Sequence, residues 1–244
     1  MRPDGPISLR EAATTVHRDR QWWALCLGYG FAAATLFGLP FAAGFVMESL
    51  DNSRRGYPTP LPPWSDPATR FLTGLFALMI DFAFFILPLL AGGMVMLCAS
   101  LALVLGAAGS ERVVGGALVG LGGLAGAAFL AMFLAGVAPV GRLRFAREGR
   151  IEEAISGDTW RWATGEAGRG PFLRARLASL PAYLPALALA AATVALARLS
   201  FAGQAAAMAA GLWLTMAALV YAHLVVVQLY VAAEKEVQRR ELGL

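Results

Sequence analysis

Charge, histidine and cysteine are scarce in this sequence, and each shortage argues against a class of protein. Only 15% of the 244 residues are charged, against roughly 25% in an ordinary soluble domain, too few to cover a water-facing surface. Two histidines, His17 and His223, nearly exclude a histidine-based triad. Cys26 and Cys98 fall inside apolar stretches with no paired spacing, which gives neither a disulfide framework nor a zinc site. There is no P-loop, no Gly-x-Ser-x-Gly and no His-Glu-x-x-His, so no enzyme, metal or cofactor is expected. Lysine is almost missing as well: Lys235 stands beside 19 arginines. Those arginines lie between the apolar stretches rather than in a patch interleaved with aromatics, which argues against nucleic acid and for contact with anionic lipid headgroups.

What fills the chain is apolar. Hydrophobic residues make up 58% of it, the mean hydropathy is +0.63, and charge-free runs occupy 22–47, 82–110, 113–141, 177–197 and 199–233, with a shorter one at 71–80. About 20 apolar residues carry a helix across the hydrocarbon, and the alternating ten-residue segments of an outer-membrane barrel are absent. The expected fold is all-α, a polytopic transmembrane helix bundle of five to six membrane segments. Spans are expected at about 22–47, 70–87, 89–108, 113–138, 177–197 and 203–232. They form a single domain, 22–233, between an amphipathic amino-terminal segment, 1–21, and a tail, 234–244.

Local signals refine this outline. Ser8 and Glu11 make a capping box for a short surface helix ahead of Trp22 and Trp23, a pair that marks the membrane boundary. The first apolar run is longer than a signal-peptide core and is read as retained. Pro40 interrupts it, so it either crosses with a kink or re-enters as a hairpin. Residues 51–68 form a proline-rich loop, and Asp66-Pro67 reads as the cap and first turn of the next helix. Gly116 with Gly120, and Gly122 with Gly126, give small-residue faces for close helix packing, which places that span at the bundle centre. The basic cytoplasmic loop 139–176 carries Ile151, Ile155 and Trp162 on one face of an amphipathic surface helix. With six spans and the amino terminus inside, 15 basic residues are cytoplasmic and five external; a re-entrant first segment with a shallow 71–87 gives 18 and two. Either way the positive-inside rule sets both termini in the cytoplasm of a bacterial inner membrane protein.

Four groups of residues stand out. Asp81 lies roughly 15 Å along its helix from Phe71, where a carboxylate costs about 2.5–3.5 kcal/mol and must be paired or protonated. His223 reaches comparable depth and is the candidate partner in an intramembrane polar site. Arg54, Arg55, Leu61, Pro62 and Trp64 could present a loop to a protein partner, though tryptophans at boundaries more often anchor. Arg142, Arg144, Arg147 and Arg150 read as topology determinants and headgroup contacts.

Arg54-Arg55-Gly56, then Pro60-Leu61-Pro62-Pro63-Trp64-Ser65-Asp66, then Phe71 and Gly74 leading into a run that ends at Pro88, resemble the bacterial and archaeal membrane proteins grouped as domain of unknown function 4013. The order of features matches from about Trp22 to Lys235, with Gly44-Phe45 where Gly-Tyr is usual and an extra proline in the loop. The resemblance implies an architecture and no catalytic residue. The sequence favours a non-enzymatic scaffold, accessory subunit or assembly factor, partnered by other membrane proteins or a second copy. A small proton- or cation-coupled transporter using Asp81 and His223 is the alternative, supported by proline-broken segments of the kind that line substrate sites.

Overall fold

The computed structural model describes residues 8–63, 66–86, 130–199 and 202–243 continuously, and residues 90, 93–94, 97–98, 101, 115–116, 120, 122–123 and 126 between them. Trp64, most of the expected span 89–108 and eleven residues of the expected span 113–138 lie outside the described residues. The described elements are all helical, with no strand.

Helix α1, Leu9–His17, opens with the expected capping box: the Glu11 amide donates to the Ser8 hydroxyl, and the Ser8 amide donates to the Glu11 carboxylate at 2.8 Å. It does not lie free on a surface. Ala12 and Val16 are fully buried against the last helix, and His17 meets Tyr221 of that helix through a 3.0 Å hydrogen bond.

The first apolar run is two helices, α2, Trp22–Ala34, and α3, Leu39–Arg55. The break falls at 35–38, where Leu36 takes a left-handed φ of 60°. Pro40 sits in the first turn of α3, where its missing N–H would have no helical partner in any case. The two helices form a hairpin: Trp22 packs on Tyr221, Gly30 on Ala217, and the far end of α3 returns along the last helix until Arg54 meets Glu234. Gly56, at φ 79°, ends α3 in a left-handed cap.

Helix α4, Pro67–Asp81, is capped by Asp66, which accepts from the Thr69 amide. It crosses α3 at two glycines. A Cβ on Gly74 would collide with the carbonyl oxygen of Pro40, and one on Gly44 with that of Arg70, so the backbones can meet here only because neither residue has a side chain. Both belong to the motif that carries the family resemblance.

The basic segment is a chain of short helices: α5, Val137–Glu148; α6, Ile151–Ala154; α7, Gly157–Thr164; and α8, Glu166–Ser179. The single amphipathic helix expected through Ile151, Ile155 and Trp162 does not form; Ile151 and Trp162 belong to different helices and Ile155 is an exposed cap. A 3₁₀ turn, Leu180–Tyr183, absorbs Pro181 and leads into α9, Leu184–Leu196. Helix α10, Gln204–Glu241, then runs unbroken through most of the expected tail.

Among the described residues three stretches are long and apolar enough to cross a membrane, Pro67–Phe85, Glu166–Leu196 and Gln204–Glu241, and Trp22–Ala34 is a shorter apolar helix. Among the described residues the centre of the bundle is α10, against which α1, α2, α3, α5, α8 and α9 all pack. The glycine-rich span was expected there. Much of that span lies outside the described residues; of the described ones, Gly116, Gly120 and Gly126 are exposed and Gly122 is half-buried.

Candidate polar site at the end of the fourth helix

Asp81 is the last residue of α4, and a π-helical turn, Phe82–Ile86, follows at once. Such turns open the backbone ladder and recur at functional sites. The carboxylate is held from α5: Arg142 Nε donates to Oδ1 at 3.1 Å, while Nη2 donates to Oδ2. This fork-on-carboxylate geometry fixes both groups. Arg142 is 13% exposed; it points inward, not toward a surface.

His223 comes to the same place from α10. Its Nδ1 lies 2.8 Å from the carbonyl oxygen of Leu219. A carbonyl only accepts, so Nδ1 carries the proton and Nε2 of the neutral ring is left as an acceptor. The edge of the ring meets Tyr183, with centroids 5.5 Å apart. The structure therefore brings Asp81 and His223 to the same two cavities, together with an arginine that the sequence assigned elsewhere.

Two cavities meet at this trio. The larger, ≈ 410 Å³, extends toward Arg176, Tyr183 and Tyr230; the smaller, ≈ 190 Å³, extends between α3 and α10 toward Leu39 and Met216; Asp81, Arg142 and His223 line both.

The other candidate residues have partners within the chain. Arg144, 11% exposed, ties α5 to α6 and α7 through Glu148, Glu153, Ser156 and Thr159. Arg147 and Arg150 are exposed enough to reach lipid, although each also approaches an acid, Glu148 and Glu153 respectively. In the proline-rich loop, Leu61 and Pro62 are buried, and the loop is pinned by Asn52 donating to the Pro60 carbonyl at 3.1 Å and Arg70 to that of Pro63 at 2.7 Å. Arg54 binds Glu234 at 2.8 Å, while Arg55 is exposed and holds Asp51.

Several polar residues escaped the sequence reading. Arg70, 3% exposed, is clamped by Glu48 and the Tyr29 hydroxyl. Glu234 is 3% exposed, and Arg176, likewise 3% exposed, donates from Nε to the Phe133 carbonyl at 2.9 Å. All three sit at the margins of apolar runs, where a charge looks like a boundary marker; only the partner across the fold reveals it as buried.

No curated protein and no solved structure matches the chain. A family model does, over residues 27–195, a stretch that includes Asp81, Arg142, Arg176 and Tyr183 and stops short of His223 and Tyr230. The resemblance carried by Gly44, the proline-rich loop, Phe71 and Gly74 is thereby established, and the chain belongs to the family described as protein of unknown function, DUF4013.

Proposed function

We propose that this membrane protein is a small permease in which Asp81 is the proton-bearing group of a gate formed with Arg142 and His223. The observation that carries this reading is the position of the trio between two cavities. While Asp81 is ionised, Arg142 is locked to it and the cavities stay divided. Protonation of Asp81 removes the charge that holds Arg142, and the guanidinium is free to swing toward a bound solute. His223, which lines both cavities with Asp81 and has Nε2 as an acceptor, is the group proposed to take that proton on. The half-buried pair also fits a gate better than a strut, because a pair that must open cannot be sealed in the interior: Asp81 is 29% exposed.

This reading includes an orientation. The α2–α3 hairpin returns to the end of the bundle where α10 terminates, and its tip carries the exposed Leu36 and Phe37. We place that tip in lipid as a re-entrant element, with both termini cytoplasmic, which agrees with the more asymmetric arginine count. The scaffold reading draws less support, since Leu61 and Pro62 are buried and Arg54 is engaged by Glu234.

The test is proton movement in proteoliposomes containing a pH-sensitive dye, with organic anions, amino acids and monovalent cations offered in turn. At least one solute is expected to drive proton movement through the wild type, and Asp81→Asn is expected to reduce it at least about tenfold. Failure of every solute, or equal movement in Asp81→Asn, overturns the permease.

A further inference from the structure

The charges of the larger cavity do not balance. Among the described residues its lining contains two guanidinium groups, Arg142 and Arg176, and one carboxylate, Asp81. Asp81 is already held by Arg142. Arg176 is 3% exposed, and among the described residues no carboxylate pairs with it. What surrounds it is neutral: the Phe133 carbonyl, the Tyr183 side chain, which hydrogen-bonds it, the Phe133 ring at 4.2 Å from the guanidinium carbon, and the Tyr230 ring at 5.7 Å. Ring faces attract a cation but do not neutralise it, and a buried guanidinium without a counter-charge is costly.

A second deficit lies beside the first. The Tyr230 hydroxyl, on a side chain 1% exposed, has no hydrogen-bond partner among the described residues. A buried phenol normally finds one. Tyr230 and Arg176 line the same cavity, as does Tyr183, which hydrogen-bonds Arg176 and meets the His223 ring. An oxyanion would answer both deficits. One pair of its oxygens matches the planar fork of a guanidinium, and a phenol can donate to a remaining lone pair.

The rest of the wall is apolar, from Leu50, Phe85, Ala138, Val226 and Val227. A small hydrated anion would leave that wall wet, whereas a chain attached to the anion would cover it. The volume, ≈ 410 Å³, falls in the range of roughly 300–1,000 Å³ usual for small-molecule sites. We infer that this cavity binds an amphiphilic oxyanion, a carboxylate or phosphate head on an apolar chain, with Arg176 and Tyr230 holding the head. The inference names the solute class of the permease proposed above and rests on it for transport; binding stands on the cavity itself.

The experiment measures binding to the full chain in phosphatidylcholine nanodiscs. The probes are decanoate and decyl phosphate, with decanol and decyltrimethylammonium as matched chains and inorganic phosphate as the head alone. Either or both oxyanion probes are expected to bind once per chain, at least about tenfold more tightly than every control. Tyr230→Phe removes a hydroxyl that has no partner, so the unliganded protein is expected to be as stable as the wild type or more so. Its affinity for the oxyanion is expected to fall about threefold to tenfold. Arg176→Lys is expected to weaken binding at least about tenfold, because an ammonium cannot reproduce the fork. Equal binding of decanol or of inorganic phosphate overturns the inference, as does undiminished affinity in Tyr230→Phe. Oxyanion binding without proton-linked flux of any solute would retire the permease and keep the site; flux of other solutes with no oxyanion binding would do the reverse.

Discussion

From Gln204 to Leu214 every residue of α10 is exposed or half-buried, whereas from Leu224 to Val231 every residue is buried. The first half touches α9 and, through Trp213 donating to the Leu27 carbonyl at 2.8 Å, α2. The second half is ringed by helices and admits Gln228 and Glu234 into its core. Both halves are apolar, but their surroundings differ. Lipid tails solvate a leucine as well as another leucine does, so the first half gains little by packing. In the second half burial makes pairing count: Glu234 is held by Arg54 at 2.8 Å, whereas Gln228 Nε2 and the Tyr230 hydroxyl find no hydrogen-bond partner among the described residues.

The largest effect that would test this contrast comes from removing a buried charge in the second half. Glu234→Ala leaves Arg54 only the longer, 4.0 Å approach to Asp51 and is expected to cost roughly 3 kcal/mol of unfolding free energy, read from denaturation in detergent. The double variant Arg54→Met with Glu234→Leu should recover most of that loss. A smaller effect separates the halves by packing alone. Leu224→Ala, at a fully buried position, should cost roughly 2 kcal/mol or more, and Leu212→Ala, at an exposed one, should stay within about 0.5 kcal/mol. Equal costs at the two leucines would mean that the first half is covered by a partner.

The smallest effect lies outside the spans, at Asp66. The hydrogen bonds it accepts from Thr69 hold its carboxyl below the ordinary aspartate value. A lowered folded value stabilises above the unfolded value, near pH 3.9, and the contribution disappears as pH falls through the folded value. The thermal midpoints of the wild type and Asp66→Ala should therefore differ at pH 7 and converge as the solution is acidified. Asp66→Asn, which can cap without a charge and tolerates the left-handed φ of 45° at this position, should show no such convergence.

Much of the fold is legible in local sequence. The Ser8–Glu11 box, the Asp66-Pro67 start of α4 and the interruption near Pro40 are short-range signals, because each depends on backbone groups within four residues. The break at 35–38 could be located only approximately, since a proline early in a helix and a proline that kinks one leave the same mark. The segment from 139 to 176 was misread as one amphipathic helix because Ile151, Ile155 and Trp162 have helical spacing. The caps at Gly149, Ile155 and Gly165 divide that spacing among separate helices. Of the polar site, Asp81 and His223 were legible by their depth in apolar runs. Arg142, Arg176 and Tyr230 were not, for an arginine after a span reads as a topology signal whether it faces water or turns inward.

By itself the sequence determined the class of solvent this chain requires, the helical character of its apolar runs and the family it joins, because these follow from composition and from contacts between near neighbours. Only the tertiary structure decided which charges meet. Asp81 with Arg142, Glu48 with Arg70 and Arg54 with Glu234 are separated by 61, 22 and 180 residues, and no periodicity within a helix encodes a partner on another. The same holds for Arg176, which no carboxylate among the described residues pairs with, a fact visible only when the helices around it are in place.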